Sequence, residues 1–247
     1  MGIGAKPMEL LGTVRGIYRY PVKSMAGESI SDVAIGWHGL ESDRRFAFRL
    51  LGDLSGFPWL TASRLPALLR YRPCFAPGVE GQRQLRVVTP EGQDLAGDSA
   101  ELAELISASC GGPVELLHLK QGIYDEAPLS LITVATIRRL SEVSGVPFDV
   151  RRFRPNLLIE TPVDQPFVED GWVGRTLSCG GQPASPLVGV TLRDLRCVMV
   201  NLDPDTAHAD PRPLKATAKL NTVCAGVYGV PVRTGAISVG DGLYAPT

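Results

Sequence analysis

The chain has 247 residues, with 25 lysines and arginines against 26 aspartates and glutamates. Its content of 44% hydrophobic and 21% charged residues is that of a folded globular protein and excludes a largely disordered chain. The near-zero net charge disfavours general nucleic-acid binding, and no apolar run approaches the roughly 18 residues that a membrane helix needs. Because no basic start is followed by an apolar core at the N-terminus, we expect a cytoplasmic protein with neither nucleic acid nor membrane as a partner.

The predicted elements are mainly strands, with few helices. Apolar–polar alternation and flanking Gly or Pro predict strands over 11–20, 30–36, 45–51, 85–89, 157–160 and 187–202, and a last hairpin over 232–244. The strand over 187–202 changes phase, which indicates a bulge or bend. Helices are predicted over 100–108 and 130–144, the second capped by Ser130 and stopped by Gly145. This order lacks regular β-α-β alternation and predicts a mostly β, α+β fold built on a barrel-like core.

Three cationic motifs could hold an anion such as phosphate. They are Lys23-Ser24 on a turn after a strand, Asp43-Arg44-Arg45 at a strand start, and the run 151–156 (RRFRPN) before a strand. Lysine, serine and the guanidinium fork all donate hydrogen bonds to phosphate oxygens. Successive strand residues point to opposite faces, so at most one of Arg44 and Arg45 can turn inward. Taken singly, each motif is interpreted more simply as a solvated surface.

The cysteines predict neither a disulfide framework nor a zinc site. There are five, they are widely spaced, and none forms a C-x-x-C pair. Cys197 follows Arg196 in a predicted apolar strand, where a cysteine is more often a small buried residue than a ligand or nucleophile. A nucleophilic pair of Cys197 with His208 is conceivable, but no third group is present to orient it.

Five sequence blocks, in their order along the chain, resemble the MOSC proteins. The blocks are YPVKSMAGE, GLESDRRFAF, FRPNLLIE, RCVMVNLDPDT and ISVGDGLY. This family includes the mitochondrial amidoxime-reducing component and bacterial 6-hydroxylaminopurine-resistance proteins. The resemblance extends from about Leu11 to Tyr244. It implies a MOSC-type β-barrel with an interlocked N-terminal β subdomain, divided here into 1–115 and 116–247.

The resemblance implies that the chain binds the molybdenum cofactor in its molybdopterin form, a pterin whose dithiolene holds the metal and whose far end is a phosphate. The implied cofactor-binding residues are Lys23, Ser24 and Arg45 at the phosphate, together with Asp125, Arg154, Asn156 and Arg196. Cys197 is the implied metal ligand and catalytic residue, and a soft thiolate suits molybdenum in a sulfur-rich shell. Glu126 and Ala127 stand where the relatives have hydroxyl residues, and Ala207 stands where they have glycine.

The implied activity is the reduction of N-hydroxylated or N-oxygenated substrates to amines or amidines. The sequence contains no C-x₄-C-x₂-C motif, so we expect no iron–sulfur cluster in this chain. Electrons would then come from a separate donor protein of the iron–sulfur, haem or flavin type. Asp203, Asp205 and His208 are candidates for supplying protons. Two alternatives stay open, namely a non-catalytic carrier of the cofactor or of sulfur on Cys197, and a metal-free domain for another phosphorylated ligand, such as pyridoxal phosphate.

Overall fold

The computed structural model describes residues 8–77 and 83–246. The strands are β1 Met8–Arg19, β2 Glu28–Ile30, β3 Asp32–Gly36, β4 Gly39–Leu40, β5 Phe46–Leu50, β6 Arg72–Pro77, β7 Arg83–Val88, β8 Asp94–Ala96, β9 Val114–His118, β10 Leu129–Thr133, β11 Leu157–Glu160, β12 Thr176–Cys179, β13 Leu187–Leu195, β14 Cys224–Arg233, β15 Gly235–Ser238 and β16 Gly242–Pro246. The helices are α1 Ala100–Cys110, α2 Val134–Ser144 and α3 Arg212–Asn221, with short 3₁₀ helices at Pro66–Arg70, Val150–Arg152, Val168–Trp172 and Val198–Asn201. The predicted mostly β, α+β class is confirmed. Within the described ranges, no helix has the length and apolar character needed to cross a membrane.

Seven strands of the largest sheet close into a barrel. The order is β11-β10-β14-β13-β12-β16-β1, and β1 pairs with β11 to complete the circle, while β2 extends the sheet beyond β1. Only β10 and β11 pair in parallel among these barrel neighbours. Closure leaves the barrel with no unpaired edge, so the backbone groups of these strands find partners within the sheet.

Alternate residues of the barrel strands fill its interior. Leu129 and Leu131 of β10 and Leu157 and Ile159 of β11 are completely buried in one core. Their alternation follows the two-residue period of a strand, which sends successive side chains to opposite faces. Each fully buried leucine or isoleucine contributes about 1.5–3 kcal/mol to stability, so this interior is the main anchor of the barrel.

A second core lies in the N-terminal part of the chain. The β5–β9 ladder, the sheet β6-β7-β8 and α1 surround it. Helix α1 buries Leu102 and Ile106, begins at Ser99, whose side chain accepts from Leu102 N, and ends at Gly111 with φ 77°. Leu202, from the C-terminal half of the chain, also packs in this core.

The first strand joins the two halves of the chain. Although β1 lies in the N-terminal half, it pairs with β11 and with β16 in the barrel. A fragment of residues 116–247 would lack this strand and leave backbone groups of two others without partners. We therefore expect limited proteolysis not to release a stable fragment ending near residue 115, as followed by mass spectrometry. Recovery of two pieces that each unfold cooperatively would contradict this. The division at residue 115 itself stays a prediction.

The start of α2 corrects the predicted helix over 130–144. The helix begins at Val134, and the hydroxyl of Thr133 rather than Ser130 caps it by accepting from Thr136 N. Ser130 lies within β10, all five residues of which are buried. A short apolar run fits a buried strand as well as a helix, which is why the periodicity placed the helix start too early. The predicted stop at Gly145, with φ 66°, is confirmed.

Two strand predictions near the C-terminus are also corrected. The strand predicted over 187–202 contains the expected register shifts but ends at Leu195, so Cys197 lies beyond it, at the start of the 3₁₀ helix. The predicted hairpin over 232–244 is wrong, because β15 pairs with β3 while β16 pairs with β1 and β12. A turn with φ 96° at Gly240 does lie between β15 and β16. The strands' partners, in contrast, are set by the rest of the fold.

Candidate functional site

A cavity of about 370 Å³ opens at one end of the barrel, where distant parts of the chain meet. Its walls come from the turn after β1, the loop before β5, the segment before β10, the loop before β11 and the end of β13. The residues that these segments supply are Lys23, Ser24, Arg44, Asp125, Glu126, Arg152, Phe153, Arg154, Asp194, Leu195, Arg196 and Cys197. The site is thus formed by both halves of the chain.

Lys23 is held in the cavity wall by one carboxylate. Its Nζ donates to Asp125 Oδ1 over 2.7 Å, and its side chain is only 7% exposed whereas that of Asp125 is 68% exposed. Burial lowers the pKa of Lys23, and the pair with Asp125 offsets part of that shift. Burial works in the opposite direction on Asp125, but Lys23 outweighs it and holds the pKa of that carboxyl below its usual value. An ammonium has three donors, so Lys23 keeps capacity for a further anion.

Backbone strain is concentrated around this cavity. Ser24, Arg44 and Arg154 are non-glycine residues with φ of 67°, 50° and 50°, in the left-handed region. Such conformations cost about 1–3 kcal/mol each and persist where the surrounding structure holds them, often at functional sites. Here the three strained residues present a hydroxyl and two guanidinium groups to one cavity.

Arg44 is paired and fixed. Its Nη1 lies 2.5 Å from Oδ2 of Asp43, which is fully buried and also accepts from Tyr20 N over 2.7 Å. Its Nη2 donates to the Arg154 carbonyl over 3.0 Å. Burial works to lower the pKa of Arg44, but Asp43 outweighs it and the pKa is raised. Arg44 is therefore a permanent positive charge that joins two walls of the cavity.

Arg154 is the least compensated charge of the site. Its guanidinium lies 4.2 Å from the centre of the Tyr20 ring, and its Nη1 donates to the Met25 carbonyl over 2.7 Å. Among the described residues, no carboxylate forms an ion pair with it. Burial lowers its pKa to about 10. Since a buried charge is costly without a counterion, an anion in the cavity would stabilise this arginine.

Arg196 positions the backbone next to Cys197. Its Nε donates to the Ala225 carbonyl over 2.7 Å, its Nη1 to the Phe153 carbonyl over 2.6 Å, and its Nη2 lies 2.8 Å from Asp194 Oδ2. These contacts engage all three guanidinium nitrogens, so Arg196 serves mainly to fix the chain where β13 ends. The Cys197 side chain is exposed and lines the cavity.

Asp194 is an acid at the cavity wall that sequence reasoning missed. It is buried, and besides Arg196 it accepts from the Ser130 hydroxyl over 2.9 Å. Burial raises its pKa to about 6. Its partner Ser130 lies on β10, far away in the sequence, so no local pattern marks Asp194 as a member of the site. Arg44 was not predicted as a site residue either, since Arg45 was chosen from the same motif. The adjacent Asp43 was a signal, because it offers an inward-facing Arg44 an ion-pair partner.

The structure brings together six of the eight residues predicted for the site. Those lining the cavity are Lys23, Ser24, Asp125, Arg154, Arg196 and Cys197. Their binding of a cofactor stays a prediction. The other two, Arg45 and Asn156, do not line this cavity, and their binding of a cofactor likewise stays a prediction.

Arg45 and Asn156 have structural roles. Arg45 donates to the carbonyls of Lys120 and His38 in a separate surface groove, because the left-handed backbone at Arg44 turns Arg44 inward in its place. Asn156 is buried behind the cavity wall. Its Oδ1 accepts from Ser130 N over 3.1 Å, and its Nδ2 donates to the Tyr18 carbonyl over 3.2 Å, so it ties two barrel strands together.

The three predicted proton donors also lie elsewhere. Asp203 accepts from Arg152 Nη2 over 2.7 Å, and Asp205 forms a fork with Arg151 at 2.7 Å. His208 is exposed, and none of the three lines the cavity. Within residues 8–77 and 83–246, no three His, Cys, Asp or Glu side chains are grouped so that they could hold a metal ion.

Two domain families match the chain, and solved structures of other proteins are similar to the whole or to part of it. The MOSC N-terminal beta barrel domain matches residues 11–115, and the MOSC domain matches residues 116–244. The YuaD protein from Bacillus subtilis is similar in structure over 98% of each chain, with 10% identity and a TM-score of 0.53. YiiM from Geobacillus stearothermophilus is similar over 48% of this chain and 53% of its own, with 19% identity and a TM-score of 0.37. The chain has no match among curated proteins. Since the two family matches cover it almost from end to end, the protein belongs to the MOSC family, with an N-terminal β-barrel domain ahead of the MOSC domain.

Proposed function

We propose that the protein binds the molybdenum cofactor in this cavity and reduces N-hydroxylated substrates. MOSC domains are associated with molybdenum-cofactor binding. The observation that carries the proposal is that Arg154, a partly buried cation with no carboxylate partner among the described residues, and Cys197, an exposed thiol, line one cavity. A ligand with a phosphate at one end and a soft metal at the other would use both groups, the guanidinium at its phosphate and the thiol at its metal.

The residues present fit this cofactor at its phosphate end. Lys23 has free donor capacity, Ser24 offers a hydroxyl, and Arg154 lacks a counterion among the described residues. Charge-assisted hydrogen bonds from such groups to phosphate are among the strongest in proteins. These three residues would hold the phosphate.

The residues also fit the metal end. The described chain has no cluster of protein ligands that could hold a metal alone. A metal held by the cofactor's own dithiolene needs little more from the protein than one soft donor, and Cys197 is the cysteine that lines the cavity. Cys197 would therefore ligate the metal, and Arg196 would keep the backbone beside it in place.

When bound, the molybdenum cofactor supplies two-electron exchange. Reduction of an N-hydroxylated substrate breaks the N–O bond, consumes two electrons and two protons, and releases water together with the amine or amidine. We propose that a separate donor protein delivers the electrons. Phe57 and Leu195 add apolar surface to the cavity lining, and the organic part of the substrate would pack against it.

The test is reduction of benzamidoxime by protein purified from a host that makes the cofactor, with reduced methyl viologen as the electron donor. We expect benzamidine to form in proportion to the molybdenum content. Protein from a host that cannot make the cofactor is the control and should form none. Protein that is loaded with the cofactor but reduces no N-hydroxylated compound would contradict the reductase proposal. That result would favour a carrier of the cofactor or of sulfur, for which the exposure of the Cys197 thiol is the supporting observation.

Glu126 predicts a preference for positively charged substrates. It lines the cavity and is exposed, and no described residue forms an ion pair with it. A partly solvated ion pair contributes up to about 1 kcal/mol, which corresponds to roughly fivefold in affinity. Glu126→Gln should therefore raise KM severalfold for a benzamidoxime bearing a trimethylammonium group and leave KM for the neutral compound unchanged. Glu104→Gln, on the exposed side of α1, is the matched control, and equal KM changes for both substrates would refute the preference.

A further inference from the structure

A second cavity, of about 440 Å³, lies behind Arg154. Arg154 lines both cavities, and the second is completed by Tyr20, by Arg70 at the end of the first 3₁₀ helix and by Arg72 at the start of β6. Its volume lies within the range of about 300–1,000 Å³ that is usual for small-molecule sites. The proposed reductase activity makes no use of it.

Both carboxylates of the second cavity already have partners. Asp205 is bound by Arg151, whose guanidinium also contacts Asp149 over 2.8 Å. Glu28 accepts from Arg19 Nε over 2.8 Å. These pairs neutralise both carboxylates of the cavity. They also neutralise Arg151, which lines the cavity as well.

Three of the arginines that line the second cavity have no counterion among the described residues. Arg70, Arg72 and Arg154 form no ion pair with any described carboxylate, and all three line the cavity. Arg138 and Arg139 on α2, by contrast, do have partners, Asp164 over 2.5 Å and Glu142 over 3.1 Å. Convergence of uncompensated guanidinium forks in one concave site is the arrangement that recognises phosphate, since each fork matches two phosphate oxygens.

The remaining walls are largely apolar. Leu69, Pro73 and Pro90 line the cavity beside the Tyr20 ring. Inorganic phosphate alone would leave this surface facing water, whereas an organic group attached to the phosphate would cover it. Burial of that surface would favour binding, because apolar surface is removed from water.

We propose that this second cavity binds a phosphate ester of a small organic molecule, with its phosphate held by Arg70, Arg72 and Arg154 and its organic group against Tyr20 and the neighbouring prolines. The proposed reduction makes no use of Arg70 or Arg72, neither of which lines the first cavity. Because Arg154 also belongs to the first cavity, Arg70 and Arg72 are the residues that test the second cavity alone.

The test is calorimetric titration of the cofactor-free full chain with phenyl phosphate, and with phenol as the ligand that lacks the charge. Wild type should bind phenyl phosphate but not phenol. The double variant Arg70→Gln/Arg72→Gln should bind it at least tenfold more weakly, since two charge-assisted bonds are lost. Arg138→Gln/Arg139→Gln removes the same charge from α2 and should bind as wild type does.

Lys23→Ala separates the two cavities, because it alters only the first. Unchanged binding of phenyl phosphate to Lys23→Ala supports the second site. Binding that is lost in Lys23→Ala and kept in Arg70→Gln/Arg72→Gln would place the ligand in the first cavity and overturn the proposal. Equal losses in the two double variants would reveal a general charge effect and would also overturn it. Thermal unfolding checks that each variant is folded. If the double variant is not folded, the same titration is carried out with the single variants Arg70→Gln and Arg72→Gln.

Discussion

Replacing Cys197 with serine should reduce benzamidoxime turnover at least a hundredfold while leaving the fold and the pterin content intact. Serine is nearly the same size, but its hydroxyl is a hard donor that does not replace a soft thiolate at molybdenum. The side chain is exposed at the cavity and packs in no core, so the free energy of unfolding should change by less than about 0.5 kcal/mol. Turnover, thermal unfolding and pterin fluorescence after release measure these three effects separately.

Thiol labelling gives a readout for Cys197 that does not depend on activity. Iodoacetamide should label Cys197 in cofactor-free protein and not in loaded protein. Cys74→Ser is the matched control, since Cys74 is exposed as well but lies outside the first cavity. Cys179 and Cys224 are buried, so serine there would also disturb packing and is a poorer control. Full turnover by Cys197→Ser, or equal labelling with and without the cofactor, would contradict the assignment of Cys197 as the metal ligand.

Replacing Lys23 with alanine should weaken cofactor retention by about tenfold to a hundredfold. A hydrogen bond between charged groups contributes roughly 1.5–3 kcal/mol, and this ammonium lies within the cavity wall. The fold should survive, because Asp125, the partner left behind, is mostly solvated. Arg44 is less suitable for this test, since its removal would leave Asp43 as an unpaired buried charge at a cost of about 3–5 kcal/mol.

Arg45→Ala is the internal control for the Lys23 experiment. It removes a positive charge next in sequence to Arg44, but its guanidinium binds backbone carbonyls outside the cavity. Pterin and molybdenum remaining after gel filtration at increasing salt measure retention in each variant. Loss of the cofactor from Arg45→Ala with full retention by Lys23→Ala would reverse our assignment of the phosphate site.

Local patterns predicted the elements whose character is local. The alternation in β1 and the helical spacing of apolar residues in α1 are encoded within a few residues, and the structure has both elements near the predicted bounds. Residues 129–133 are buried on both faces, so their pattern does not distinguish a strand from a helix. The partners of β15 and β16 depend on barrel closure, which no local signal specifies.

The site was predictable only in part, because some of its residues are placed by contacts between segments that are distant in the sequence. Lys23 and Ser24 lie on a turn that the sequence marks, and the turn places both in the cavity. The predicted strand start allowed only one of Arg44 and Arg45 to face inward, but both residues precede β5, and nothing in the sequence reports the left-handed backbone at Arg44. Asp194 depends on Ser130 and Arg196, which come from separate segments and meet only in the folded barrel.

The central claim is that this cavity holds the molybdenum cofactor. The most direct measurement is joint analysis of metal and pterin in the full chain purified from a cofactor-making host, with Lys23→Ala and Arg45→Ala purified in parallel. We predict molybdenum and pterin in equimolar amounts in wild type and Arg45→Ala, and a marked loss of both in Lys23→Ala. Wild-type protein that contains neither molybdenum nor pterin, or a Lys23→Ala variant loaded as fully as wild type, would contradict the claim.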